Sequence, residues 1–293
     1  MTLYWPAFEF TYTLDMRQLL PHLAAIERHN GARQSGIHPP PWRAGSDFSE
    51  HIPLNDPSSQ PARVREIQLR KEELVKNNSS HAHAWVRERF APGSPPLAVD
   101  DTLTMHRLVA EESGIRYENV GVFRKDGQRV IVGEAQIGVH AGAPARTLPR
   151  LMAEYVQFVN SDSQTSLPAA IRALVAHFFL TTIHPFEDGS GRVSRLVAAG
   201  LMFQRGYRGH GFYAFSNYFY ENEHRYHSLV YETQQTPVFD LTRFVAFGLE
   251  GLVLELRGIE TFLKMKVNRA AERAILTPGL RRKAEPGNPM EEI

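Results

Sequence analysis

The sequence contains no cysteine, which excludes a disulfide framework and thiol catalysis and fits a reducing compartment. It also has no charge excess. Lys and Arg total 33 against 32 Asp and Glu, a formal net charge of +1, which argues against a broad electrostatic footprint for nucleic acid or an anionic membrane. No apolar run approaches the roughly 20 residues needed to span a bilayer. The opening Met1-Thr2-Leu3-Tyr4-Trp5-Pro6 has no basic region followed by an apolar stretch, so no secretory signal is visible. No internal repeat is visible either. These absences predict a cytoplasmic protein with neither nucleic acid nor membrane as partner. What is present is a chain of 293 residues, 42% of them hydrophobic. That is enough for a real core, in one large domain or two small ones.

Periodicity predicts a mostly helical chain. A helix from Asp15 to about His29 places Met16, Leu19, Leu20, Leu23 and Ile26 on one face. Prolines 39–41, 53, 57 and 61 mark residues 36–62 as irregular, and a charged helix is expected over Val64–Lys76. Asp100 to about Glu112 reads as another helix. Val122-Phe123-Arg124 and Arg129-Val130-Ile131-Val132 flank Asp126-Gly127 and predict a hairpin, because glycine accepts positive φ without steric cost. Arg124 and Arg129 then read as surface charges of that hairpin. Gly138–Pro144 reads as a loop leading to a helix over Leu148–Val159. Ser166 is the expected N-cap of the next helix, with Pro168 in its first turn. Further helices are expected at about 193–201, 217–232 and 239–268, followed by a polar tail, Arg281–Ile293, expected to be disordered.

The chemistry concentrates in His184-Pro185-Phe186-Glu187-Asp188-Gly189-Ser190-Gly191-Arg192-Val193-Ser194-Arg195. Pro185 disfavours helical geometry at the residue before it, so the preceding apolar helix ends near His184 and displays the imidazole. A neutral imidazole can take a proton from an attacking hydroxyl near neutral pH. Phe186 is expected to anchor the loop to the core. Asp188 is a hard oxygen ligand suited to Mg²⁺ on phosphates, and equally a favoured helix N-cap. Gly189 and Gly191 allow close backbone approach just ahead of a new helix, whose N-terminus is an anion site. Arg192 and Arg195 lie three apart on its first turn, where guanidinium forks suit phosphate oxygens, although Arg195 could also serve a surface salt bridge. His81 and His83 are a weak metal signal without a third ligand. Tyr218, Tyr220 and Tyr226 read as core packing before base stacking.

This loop resembles the Fic family motif H-x-F-x-[D/E]-G-N-G-R-x-x-R. The matching residues are His184, Phe186, Asp188, Gly189, Gly191, Arg192 and Arg195. Gly121-Val122-Phe123-Arg124 resembles the family's approach to its flap, Pro144 through Met152 the segment after it, and Ser216–Tyr226 the adenosine-pocket stretch. The Trp5-Pro6…Phe10 region is similar to an accessory helix. The resemblance implies an all-α, Fic-type helical bundle with a small β-hairpin flap. It divides the chain into an accessory region at 1–99, a catalytic core at 100–255 and a C-terminal helix and tail at 256–293. It also implies transfer of AMP from ATP to a Ser, Thr or Tyr hydroxyl of a target protein docked by strand pairing on the flap near 129–143. In that scheme His184 is the base and Asp188 holds Mg²⁺. The 189–191 amides and Arg192 stabilise developing charge, and Arg195 places the γ-phosphate. A homodimer is a further expectation.

Two departures stand out. Ser190 replaces the family's Asn. A lost oxyanion donor typically costs about 3–4 kcal/mol, part of which a serine hydroxyl could recover. The family's inhibitory motif, [S/T]-x-x-x-E-[G/N], has no complete match; its nearest string, Ser79–Ala84, has His83 where Glu would stand. Transfer of UMP, a phosphoryl group or phosphocholine, and a degenerate nucleotide-binding scaffold without catalysis, are the alternative readings.

Overall fold

The computed structural model describes residues 9–31, 81–110, 117–128, 130–134, 137–207, 215, 218–236 and 238–281. The readings for residues 36–62 and 64–76, for Trp5-Pro6, for Arg129 and for the tail beyond Arg281 lie outside these. In chain order the elements are strand β1 (Tyr12–Thr13) and helices α1 (Met16–Gly31), α2 (81–89) and α3 (Val99–Ala110). Then come strands β2 (Ile131–Glu134) and β3 (Gly138–Ala141). Helices α4 (Leu148–Val159), α5 (Asp162–Thr165), α6 (Ala169–Ile183), α7 (Ser190–Gln204), α8 (218–221) and α9 (Glu223–Gln234) follow. Strand β4 (Phe239–Asp240) and helix α10 (Thr242–Arg281) close the order. The architecture is helical with one small antiparallel hairpin, β2–β3, as expected for the bundle and flap.

The core forms around α6. All fifteen of its residues, AAIRALVAHFFLTTI, are buried. A helix apolar on every side has no solvent face and must be enclosed. α7, α4, α5 and α10 pack on it. Phe178 and Phe179 meet Phe239 at 5.4 and 6.0 Å between centroids, and Phe10 stacks on Phe158 at 5.1 Å. The N-terminal strand closes this face. β1 pairs in parallel with β4, Tyr12 opposite Phe239, and the Asp15 N–H donates to Thr242 Oγ1 at 2.8 Å. α3 begins with a cap from within its first turn: Asp101 accepts from the Ala98 N–H at 2.7 Å and from the Arg89 guanidinium at 2.8 and 2.7 Å. α2 docks through Phe90 against Gly200 of α7, where an added Cβ would lie 2.9 Å from the ring.

Several expectations need correction. Asp126-Gly127 does turn, with Gly127 at φ 91°, but 122–124 does not pair with 129–132. The hairpin instead pairs Ile131 with Ala141 and Glu134 with Gly138, so the segment read as a Gly/Ala/Pro-rich loop supplies a strand. The cause is Arg124, whose main-chain N–H is taken by the Pro185 carbonyl at 3.0 Å. Ser166 is not the N-cap of α6; it caps the end of α5, and Pro168 caps α6. The helix expected at 217–232 is interrupted at Asn222, and the one expected from 239 starts as strand β4 and becomes helical at Thr242.

Because Phe178 is fully enclosed, Phe178→Ala should lower the unfolding free energy by about 3–5 kcal/mol. Urea denaturation checks this, and a loss below about 1 kcal/mol would contradict the enclosure of α6.

Candidate active site

The site is built where α6 stops. His184 is the C-cap of α6 and adopts φ 52°, ψ 64°, the left-handed region; its N–H still donates to the Leu180 carbonyl at 3.0 Å. Among the described residues it is the sole non-glycine with positive φ. That conformation reverses the chain, and proline at 185 disfavours continued helix there. The residue is part-exposed, while its Nδ1 is buried. Burial first, then Arg124 and His140, lower the His184 pKa to about 4, with the Thr181 backbone and Asp188 opposing. The imidazole is therefore neutral at neutral pH and able to accept a proton.

Phe186 is fully buried. Its ring lies flat on His106 of α3, with centroids 4.0 Å apart and planes 3° apart. His106 then spans two segments. Its Nδ1 accepts from the Gly121 N–H, and its Nε2 donates to the Asp188 carbonyl, both at 2.9 Å. A carbonyl only accepts and an amide only donates, so these partners fix the neutral Nε2–H tautomer. Burial lowers the His106 pKa to about 4, consistent with that tautomer.

Beyond Phe186 the loop turns at Gly189, which caps α7 with φ 83°. The Asp188 carboxylate accepts from the Gly189 N–H and, through Oδ2, from Arg192 Nη2 at 3.1 Å. Arg192 also donates to the Val109 carbonyl at 2.7 Å. A Cβ on Gly189 would stand 3.4 Å from Arg192 Nη2, and one on Gly191 would stand 3.5 Å from Arg195 Nη1. Both guanidinium groups thus flank the glycine turn. The amides of Ser190, Gly191 and Arg192 occupy the first turn of α7, where a helix has no internal acceptors for them. Turn, amides and arginines converge as an anion site requires.

Ser190 is placed differently from what a donor to a ligand would need. It is fully buried, and its hydroxyl accepts from the Phe186 N–H at 3.1 Å and donates to the Phe186 carbonyl at 3.3 Å. The hydroxyl closes the loop from inside. His81 is exposed, whereas His83 is held near pKa 4 by burial and by the charges of Arg195 and Arg87. Among the described residues no group of three or more His, Cys, Asp or Glu could hold a metal. Tyr226 packs inward on His177, its hydroxyl 3.0 Å from Nε2, while Tyr220 is exposed.

Sequence reasoning missed four residues that shape the loop. His106 and Asn119 hold it from one side, Asn119 donating to Glu187. Arg124, read as a surface charge, is buried and donates to the His184 carbonyl. Gln234 donates to Thr182 at 3.0 Å beside His140 of the hairpin. Only Arg124 carried a signal, its place in Gly121-Val122-Phe123-Arg124.

Residues 96–202 match the Fic/DOC family model. The chain carries a Fic/DOC-family domain. Protein adenylyltransferase Fic of Drosophila ananassae is 31% identical over 111 residues, and that of Drosophila virilis 32%. The matched segment covers 38% of this chain but only 20% and 21% of those proteins. In fold, the chain is similar to a Fic family protein from Desulfovibrio desulfuricans, with a TM-score of 0.62 at 18% identity, covering 87% of this chain and 77% of that one. It is also similar to Fic-1 from Caenorhabditis elegans, at 0.53 and 16%, covering 88% and 69%. The Fic domain thus contains the whole loop from His184 to Arg195. Among the described residues no helix is long and apolar enough to cross a membrane.

Five desolvated histidines set a pH dependence of stability. His83, His106, His140 and His184 are lowered from 6.5 to about 4, and His177 to about 3, burial being the first cause in each. Below pH 6.5 the unfolded chain binds protons that the folded chain refuses, so stability is full above 6.5 and falls toward pH 4. Chemical denaturation across that window should show the decline; a flat profile would contradict it.

Proposed function

We propose that this Fic domain transfers AMP from ATP to a hydroxyl side chain of a target protein. The observation that carries this reading is the convergence, within one loop, of a neutral imidazole at the end of α6 and an anion turn flanked by two arginines. The relatives that match over 111 residues are named protein adenylyltransferase Fic, which supports AMP as the transferred group.

In the reaction, the target hydroxyl oxygen attacks the α-phosphorus of ATP. The new P–O bond forms as the bond to the β-phosphate breaks, and pyrophosphate leaves. His184 takes the hydroxyl proton. The amides at the start of α7 face the developing negative charge, with Arg192 and Arg195 drawing the phosphates onto the turn. Mg²⁺ fits as part of the nucleotide complex, since it is usually held by one or two carboxylates plus substrate phosphates, and Asp188 supplies one part-exposed carboxylate. It would neutralise phosphate charge there. To receive it, the Asp188–Arg192 pair must be shared with the phosphates. The hairpin is suited to align a target segment by strand addition.

Incubation of candidate targets with each nucleoside triphosphate, followed by intact-mass measurement, tests the reading. The expected product carries one AMP, and His184→Ala should slow its formation by about 10²-fold or more. Undiminished labelling by His184→Ala removes the assigned base. Exclusive transfer from another nucleotide changes the group transferred. Absence of any nucleotide binding by calorimetry sinks the enzyme reading.

A further inference from the structure

The carbonyls around His184 are held by a side chain that the reaction itself does not use. Arg124 is 6% exposed. Its Nε donates to the His184 carbonyl at 2.8 Å, its Nη2 donates to the Ala143 carbonyl, and its main-chain N–H donates to the Pro185 carbonyl at 3.0 Å. From the other side the Ala143 N–H donates to the Ile183 carbonyl at 2.9 Å. Residues 183–185 are thus clamped between 124 and the stretch that leaves the hairpin. Gly142 sits inside the clamp. A Cβ there would stand 2.8 Å from Arg124 Nη2, 2.7 Å from Val130 and 3.2 Å from the His184 Cβ. The flap therefore approaches the histidine as closely as a chain without a side chain allows.

Burying a guanidinium is costly, and neutral donors could satisfy two carbonyls. No carboxylate pairs with Arg124 among the described residues, and desolvation lowers its pKa to about 10. A charge kept under such a cost, at the one non-glycine left-handed residue described, calls for a reason beyond packing.

We propose that Arg124 is the positioning residue of this site. One guanidinium fixes the left-handed backbone of His184 and ties the flap's return end to it, so histidine and flap keep a single relative placement. The inference rests on the AMP-transfer reading for the word "base", but its geometry does not. The positive charge has a second effect, since it opposes protonation of the adjacent imidazole. The other titratable groups acting on that ring are His140 of β3 and Asp188 of the loop.

Arg124→Lys and Arg124→Gln separate geometry from charge. Lysine keeps the charge but loses the planar fork. It should reduce kcat by on the order of tenfold or more, with KM for ATP unchanged and the His184 ring titration still low. Glutamine should also move that titration upward, followed by ¹⁵N resonances of the ring. In both variants the carbon chemical shifts of residue 184 should lose their positive-φ pattern. A wild-type kcat in Arg124→Lys overturns the proposal. So does an Arg124→Gln protein that keeps both the positive-φ shifts and the wild-type titration. If Arg124→Gln does not fold, the lysine variant decides alone. If the wild-type chain transfers no nucleotide, the AMP-transfer reading falls, and the spectroscopic readouts still judge Arg124.

Discussion

The site depends on a helix that has no polar face. Because α6 is buried on all sides, it cannot shift or rotate without disturbing every layer around it, and its last residue is a fixed point. Proline at 185 forbids the helix to continue, so the fixed point becomes a reversal. His184 thereby stands part-exposed at the rim of the core. The loop that follows is then stitched back to the same core by Phe186 and by the Ser190 hydroxyl. Rigidity in the hydrophobic interior is converted into placement of polar groups a few ångströms away.

Electrostatics follow from the same enclosure. Dehydration holds His106, His140, His177 and His184 in the neutral form. Cationic duty falls to arginines, which cannot give up their protons at physiological pH. The two roles are segregated: imidazoles available as acceptors or as neutral bridges, guanidinium groups as permanent charges. A residue that had to be both neutral base and phosphate clamp could not be tuned for either.

Much of this was legible in the sequence because it is local. The helical spacing of residues 171–183, the His-Pro step and the glycine-arginine spacing that follows need no partner from elsewhere in the chain to be read. The small hairpin was legible in kind but not in register. Asp126-Gly127 is a genuine turn, yet the strand partners of Ile131–Glu134 were set by Arg124, which diverts residues 122–124 to the His184 loop. His106 and Gln234 left no trace, since a single histidine or glutamine on an amphipathic helix looks the same whether it faces water or holds a distant loop. Ser166 failed as a cap for a related reason: two short helices share that junction, and only packing decides which one it serves.

The inward turn of the Ser190 hydroxyl has a consequence for how this loop can change over time. With that side chain spent on the loop's own backbone, the floor of the turn is main chain alone. Main-chain amides are present whatever residue occupies a position, proline excepted. Their presentation is therefore encoded in curvature, chiefly the left-handed Gly189, and is insensitive to most single substitutions. Drift can pass through such a floor and leave it intact, while the guanidinium groups at its edges remain the part that selection can adjust.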